Sequence, residues 1–271
     1  MVPEATTTDR IGDAFAAARE QGRAALMPYM MGAYPNPEAS RAIARAYADS
    51  GADLIELGIP FSDPLADGPV IHAAATAALE AGADLDSALE ACSEVSADVP
   101  VVVMAYANMI LATGELEFAE RIASAGAAGA IVPDLPLGEG AGIRSALSTA
   151  GLALVPLIAP TTPEARRQEI CAGAEGFVYL VSTVGVTGER AGLPPDLADL
   201  VARAKEEAEV PVAVGFGIST PEQVAEVGGT ADGVIVGSRL VRAVEGSSGT
   251  DGAVAAVSEF LAEAREALSR G

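Results

Sequence analysis

The chain has 271 residues, half of them apolar, with 38 acidic against 16 basic side chains and a net charge of −22. That length supports a large core in a single α/β unit, and the charge argues against nucleic acid or an anionic membrane surface as a partner. One lysine, Lys205, and one histidine, His72, leave no material for a multi-histidine metal site and a single candidate for Schiff-base chemistry.

The amino terminus, MVPEATTTDR, has no basic segment leading into an apolar run, so no signal peptide is read and residues 1–8 are expected to form a disordered tail. No apolar stretch approaches the length of a membrane span. A cytoplasmic location follows, with Cys92 and Cys171 as reduced thiols on helices. A helical pattern covers 9–21, and apolar runs then recur at 26–31, 53–59, 99–105, 129–133, 152–158, 176–181, 210–215 and 233–236. These runs are continuously apolar, as strands covered on both faces require, and amphipathic helical segments separate them. Gly51, Gly126 and Gly173 each stand where a helix should end before a strand. A further helix is expected over 70–79. Eight βα units with right-handed crossovers predict one (β/α)₈ barrel domain over residues 1–271. An open doubly wound sheet would need a GxGxxG turn after the first strand, where GAYPNP stands instead.

In a barrel, the carboxyl ends of the strands build the site. The second strand carries Glu56 into the loop ELGIPFSDPLADGP, which presents Asp67 eleven residues later. A glutamate on a buried strand is driven toward its neutral form, the condition of a useful acid at neutral pH. Turn amides and water around Asp67 are expected to keep that carboxylate ionised, so that the two acids differ. The competing reading pairs Glu56 with an arginine and leaves the aspartates to shape the turn. Tyr29 and Phe216 are placed at the barrel mouth, either as core or as an aromatic wall for substrate. Tyr106 and Asn108 follow strand three, Asp134 and Pro136 strand four, and Tyr179 and Ser182 lie on strand six. Strands seven and eight end in GFGIST and VGSR, where Gly237 and Ser238 would begin a short helix suited to a phosphate. The segment 185–195, with Thr187 and Arg190, is long for a βα loop and reads as a lid. His72 reads as a surface group at the start of a helix. Lys205 lies in the polar run ARAKEEAE of an outer helix, so a C–C bond reaction here must rely on two carboxylates and a substrate with its own electron sink, such as an indole ring.

ELGIPFSDPLADGP, PDLP at 133–136, Ser182 with GVTG at 185–188, GFGI and VGS, in that order, resemble the tryptophan synthase alpha chain family from about residue 10 to the carboxyl end. The resemblance implies reversible cleavage of indole-3-glycerol phosphate to indole and glyceraldehyde 3-phosphate. It implies no cofactor on this chain and a beta-chain partner, in an alpha2beta2 assembly, that receives indole and carries pyridoxal phosphate. It also implies roles: Glu56 protonating indole C3, Asp67 accepting the ring N–H, Tyr179 supporting Glu56, and Thr187 reaching from the lid toward Asp67. Gly188, Gly217, Gly237 and Ser238 match phosphate-binding positions, and Pro60, Asn108 and Pro136 match the partner-facing edge. The chain departs from the pattern at Ala33-Tyr34-Pro35, where the family often has Gly-Asp-Pro, at His72 in place of a glutamine, and at Tyr106-Ala107-Asn108-Met109 in place of YYNP. Two other classes stand beside this one: the same chemistry acting alone to release free indole, and a non-catalytic subunit that binds phosphate ligands and activates a partner. A flavin or phosphosugar-isomerase barrel is more distant.

Overall fold

The computed structural model describes residues 9–182, 196–215 and 217–270. Its strands are β1 (Ala25–Met31), β2 (Ile55–Gly58), β3 (Val101–Met104), β4 (Gly129–Ile131), β5 (Ala153–Val155), β6 (Leu157–Ile158), β7 (Val178–Val181), β8 (Val212–Gly215) and β9 (Gly233–Val236). All pair in parallel, in the order β5-β4-β3-β2-β1-β9-β8-β7-β6. The two ends of that ribbon are halves of the expected fifth strand, interrupted at Pro156, which has no amide to give the ladder. Its carbonyl still accepts from the Tyr179 amide at 2.9 Å, so the ribbon closes into a (β/α)₈ barrel with one broken stave.

Twelve helices surround the strands among the described residues: α1 (Arg10–Glu20), α2 (Pro37–Asp49), α3 (Pro69–Glu80), α4 (Leu85–Val95), α5 (Ala107–Thr113), α6 (Glu115–Ser124), α7 (Ala141–Thr149), α8 (Glu164–Ala172), α9 (Leu197–Glu207), α10 (Pro221–Gly228), α11 (Ser238–Glu245) and α12 (Gly249–Arg270). Their starts are written locally. Asn36 caps α2 ahead of Pro37, and Asp84 with Ser87, and Thr220 with Gln223, form capping boxes on α4 and α10. Gly51 and Gly126 end helices with φ of 86° and 88°, as the joints suggest, whereas after α8 the left-handed residue is Gly176, φ 67°, and not Gly173.

Alternation along the strands divides the core in two. Leu26, Met30, Ile55 and Leu57 pack outward beneath the helices, while Met27, Tyr29, Leu54, Val102 and Met104 fill the barrel. At the amino ends of the strands α1 acts as a plug. Ile11 and Phe15 join the inner cluster, Phe15 lies 5.6 Å from the Phe177 ring, and Gly233 makes room, since a Cβ there would stand 2.8 Å from Phe15. Burying each such side chain contributes about 1.5–3 kcal/mol, and with this end sealed the inward-facing groups near the other end share one mouth.

Candidate active site

Glu56 sits on β2 in register with Tyr29 on β1 and Val102 on β3. Leu54 faces inward and Ile55 and Leu57 outward, so parity points Glu56 into the barrel, and it is 5 % exposed. Its carboxyl accepts no hydrogen bond among the described residues. Burial, then the nearby charge of Asp67, pushes it up to about 8. The arginine pairing considered for this residue belongs instead to Asp53, at the opposite end of the strand: Arg23 grips it with two bonds of 2.6 and 2.8 Å, and the Leu26 amide donates a third of 2.8 Å.

Asp67 arrives on the loop between β2 and α3. The loop is fixed by Tyr106, at the carboxyl end of β3: Phe61 stacks on its ring at 5.3 Å, and the Ala66 amide donates to its hydroxyl at 3.1 Å. Expectation and structure differ at Asp67. Burial raises its carboxyl to about 6, and what holds it back is the hydrogen-bonding Tyr106 hydroxyl and the charge of His72, not turn amides and water. His72 is exposed on α3, as read, yet its charge bears on the site. Tyr106 had no role assigned from sequence; its only signal was a polar tip ending an apolar strand. The order of the two acids stands as expected. Near pH 7 Glu56 holds its proton and Asp67 is ionised.

Both acids line one pocket with Tyr29, Tyr179, Gly217, Gly237 and Ser238, and its apolar wall includes Met104, Ile131, Leu157 and Ile235. Gly215, at the end of β8, leaves space that the Tyr179 hydroxyl occupies. Gly217 has φ 82°, a conformation glycine alone adopts freely. Two helices begin at the pocket rim with opposite provisions. Thr220 and Gln223 satisfy the start of α10, whereas no described side chain caps α11 behind Gly237; the Leu240 amide turns back to the Gly237 carbonyl at 2.8 Å, leaving the Ser238 and Arg239 amides for water or an anion. A Cβ at Gly237 would meet nothing nearer than the Tyr29 Cβ at 3.6 Å, so the fold itself does not demand glycine there. Phe216, Thr187, Gly188, Arg190 and the lid reading of 185–195 lie outside the described residues.

Of the residues expected to face a partner, Asn108 and Pro136 are exposed, whereas Pro60 is buried beyond the end of β2. Leu65, 79 % exposed on the Asp67 loop, and Leu111, 59 % exposed on α5, are large apolar side chains left open to solvent. Asp134 is architectural, since it accepts from the Ala107 amide at 2.8 Å and so anchors the start of α5. Lys205 is on α9, partly exposed and paired with Asp232 at 2.8 Å, outside the barrel.

The family model described as the tryptophan synthase alpha chain matches residues 15–269. A relative of that name from Carboxydothermus hydrogenoformans is 49 % identical over 238 residues, covering 87 % of this chain and 89 % of the relative. One from Synechococcus elongatus is 45 % identical over 263 residues, covering 96 % and 97 %. The solved structure of Mycobacterium tuberculosis tryptophan synthase superposes with a TM-score of 0.88 at 37 % identity, covering 97 % of this chain and 99 % of that one. The chain belongs to the tryptophan synthase alpha chain family. Membership brings a lyase role in tryptophan synthesis and implies a beta-chain partner. Ala33, where the resemblance led to an expected glycine, adopts φ 56°, in the left-handed region where a Cβ is disfavoured. Among the described residues no helix is long and apolar enough to cross a membrane.

Proposed function

We propose that the chain, as one barrel domain in the cytoplasm, cleaves indole-3-glycerol phosphate reversibly to indole and glyceraldehyde 3-phosphate by acid–base chemistry, and passes indole to a beta chain in an alpha2beta2 assembly. The observation that carries this reading is the pairing of Glu56 and Asp67 in one pocket, one carboxyl raised to about 8 and the other to about 6. Glu56 gives its proton to indole C3, forming a cation whose charge rests on the ring nitrogen. The bond from C3 to the side chain then breaks, its electron pair restores the aromatic ring, and the proton leaving the adjacent hydroxyl returns to Glu56 as the aldehyde forms. Asp67 accepts the ring N–H and offsets the developing positive charge. Tyr179 supports the Glu56 side, and Tyr106 positions Asp67. Lysine chemistry is unsupported, because Lys205 is engaged with Asp232 on α9. No cofactor is required of this chain; pyridoxal phosphate is assigned to the partner.

The direct test supplies indole-3-glycerol phosphate with and without a beta chain and assays indole. We expect indole from the chain alone and faster turnover with the partner; no indole in either arm overturns the reading. Leu65, Leu111, Asn108 and Pro136 are the proposed docking edge, with Pro60 bracing it from beneath.

The phosphate is assigned to Gly217, Gly237 and Ser238, with Gly188 from outside the described residues. Gly237→Asp sets a carboxylate against the bound phosphate at a position where the fold has room for a side chain. Glycerol 3-phosphate affinity should weaken by about 2–5 kcal/mol, as when a charge is left in conflict at a buried contact. Unchanged affinity by calorimetry, with the thermal midpoint preserved, would move the phosphate elsewhere.

A further inference from the structure

Tyr29 lines the pocket and carries a hydroxyl that no described residue uses. The residue is 4 % exposed on β1, and its hydroxyl oxygen is shut from solvent without a hydrogen-bond partner among the described residues. A buried hydroxyl in that state is destabilising, and native structures retain few of them without a reason. Space has nevertheless been made for it. A Cβ on Gly58 would collide with this oxygen, so the end of β2 is bare where the hydroxyl lies. At the other end of the side chain, the Tyr29 Cβ is 3.6 Å from where a Cβ on Gly237 would stand. Tyr29 therefore runs from the start of α11 to the end of β2, alongside Glu56, its register partner. A substrate with its phosphate at α11 and its ring near Asp67 would lay the connecting carbon chain along this side chain. Burial, then the charges of Asp67 and Glu56, hold the phenol in its protonated form, so it is a donor.

A chain hydroxyl entering this pocket leaves water and meets an apolar wall at Met104, Ile131, Leu157 and Ile235. We propose that the Tyr29 hydroxyl donates a hydrogen bond to a hydroxyl on the three-carbon chain of the substrate, so that Tyr29 selects hydroxylated over deoxy ligands. This rests on the indole-3-glycerol phosphate reading and adds a specificity residue to it. The bond also holds the chain beside Glu56, where the hydroxyl proton must be collected.

Tyr29→Phe tests this with two ligands, indole-3-glycerol phosphate and indole-3-propanol phosphate, which lacks both chain hydroxyls. We expect kcat/KM for the first to fall about tenfold, with the inhibition constant of the second changed by less than about twofold. The thermal midpoint should not fall, because the deleted hydroxyl bonds to no described protein group. Equal weakening of both ligands, no change in either, or a lowered midpoint would overturn the proposal. If the wild-type chain forms no indole, the reaction reading fails by itself, and calorimetric titration of the same two ligands into both proteins still decides the role of Tyr29.

Discussion

Glu56→Gln should cut indole formation by roughly 10²–10⁴-fold, the range that a positioned acid–base group contributes, and leave glycerol 3-phosphate binding intact. The amide keeps the shape but cannot give a proton to indole C3 or take one from the hydroxyl. A variant that retains more than about a tenth of the wild-type rate would show that this glutamate is structural. The same substitution makes a separate prediction about stability. The Glu56 carboxyl is held near 8 in the folded chain against an ordinary 4.5. The folded state thus binds this proton more tightly than the unfolded state does. The resulting stabilisation is full below pH 4.5 and is lost as pH rises through about 8. Glutamine has no proton to lose, so Glu56→Gln should gain on the wild type between pH 5 and pH 8, by an amount on the order of a few kcal/mol. Denaturant midpoints measured across that range check it. A variant that gains nothing on the wild type from pH 5 to pH 8 would mean that Glu56 is not held neutral by burial.

Asp67→Asn should lower turnover by about 10²–10³-fold, because a neutral amide cannot offset the positive charge that grows on the ring. Its effect on the pH profile is more diagnostic. In the wild type, kcat/KM should rise as Asp67 ionises through about 6 and fall as Glu56 loses its proton through about 8, a bell belonging to the coupled pair. Removing the Asp67 charge removes the second cause of the rise at Glu56 and leaves burial, the first. The acid limb should therefore vanish, and the alkaline limb should move to lower pH while staying above the ordinary carboxylate range. An alkaline limb that does not move would place the two carboxyls out of electrostatic contact. The double variant should lose less than the product of the single losses, since both groups act on one transition state.

Much of this site was legible in the residues alone. The period of the apolar runs predicts the barrel, because strands covered on both faces leave a continuous apolar signature and helices a spaced one. A lone carboxylate within the continuous apolar run of Leu54, Ile55 and Leu57 singles out Glu56, and the Gly/Pro-rich stretch after it could only be a loop at the strand's carboxyl end; which face Glu56 takes emerges only from the packed core. The polar run around Lys205 likewise placed the lone lysine outside. These are local properties, set by backbone sterics and by which face of an element must be covered. What the tertiary structure decided depends on atoms far apart in the chain. Tyr106 supports Asp67 across 39 positions, and burial by the assembled pocket raises that carboxyl where turn chemistry suggested an ordinary acid. Arg23 chooses Asp53 rather than Glu56 because the two acids lie at opposite ends of the same barrel. The fifth strand breaks at Pro156, yet its carbonyl completes the closure with Tyr179. Desolvation and pairing energies belong to an environment built from many elements, and no window of sequence contains that environment.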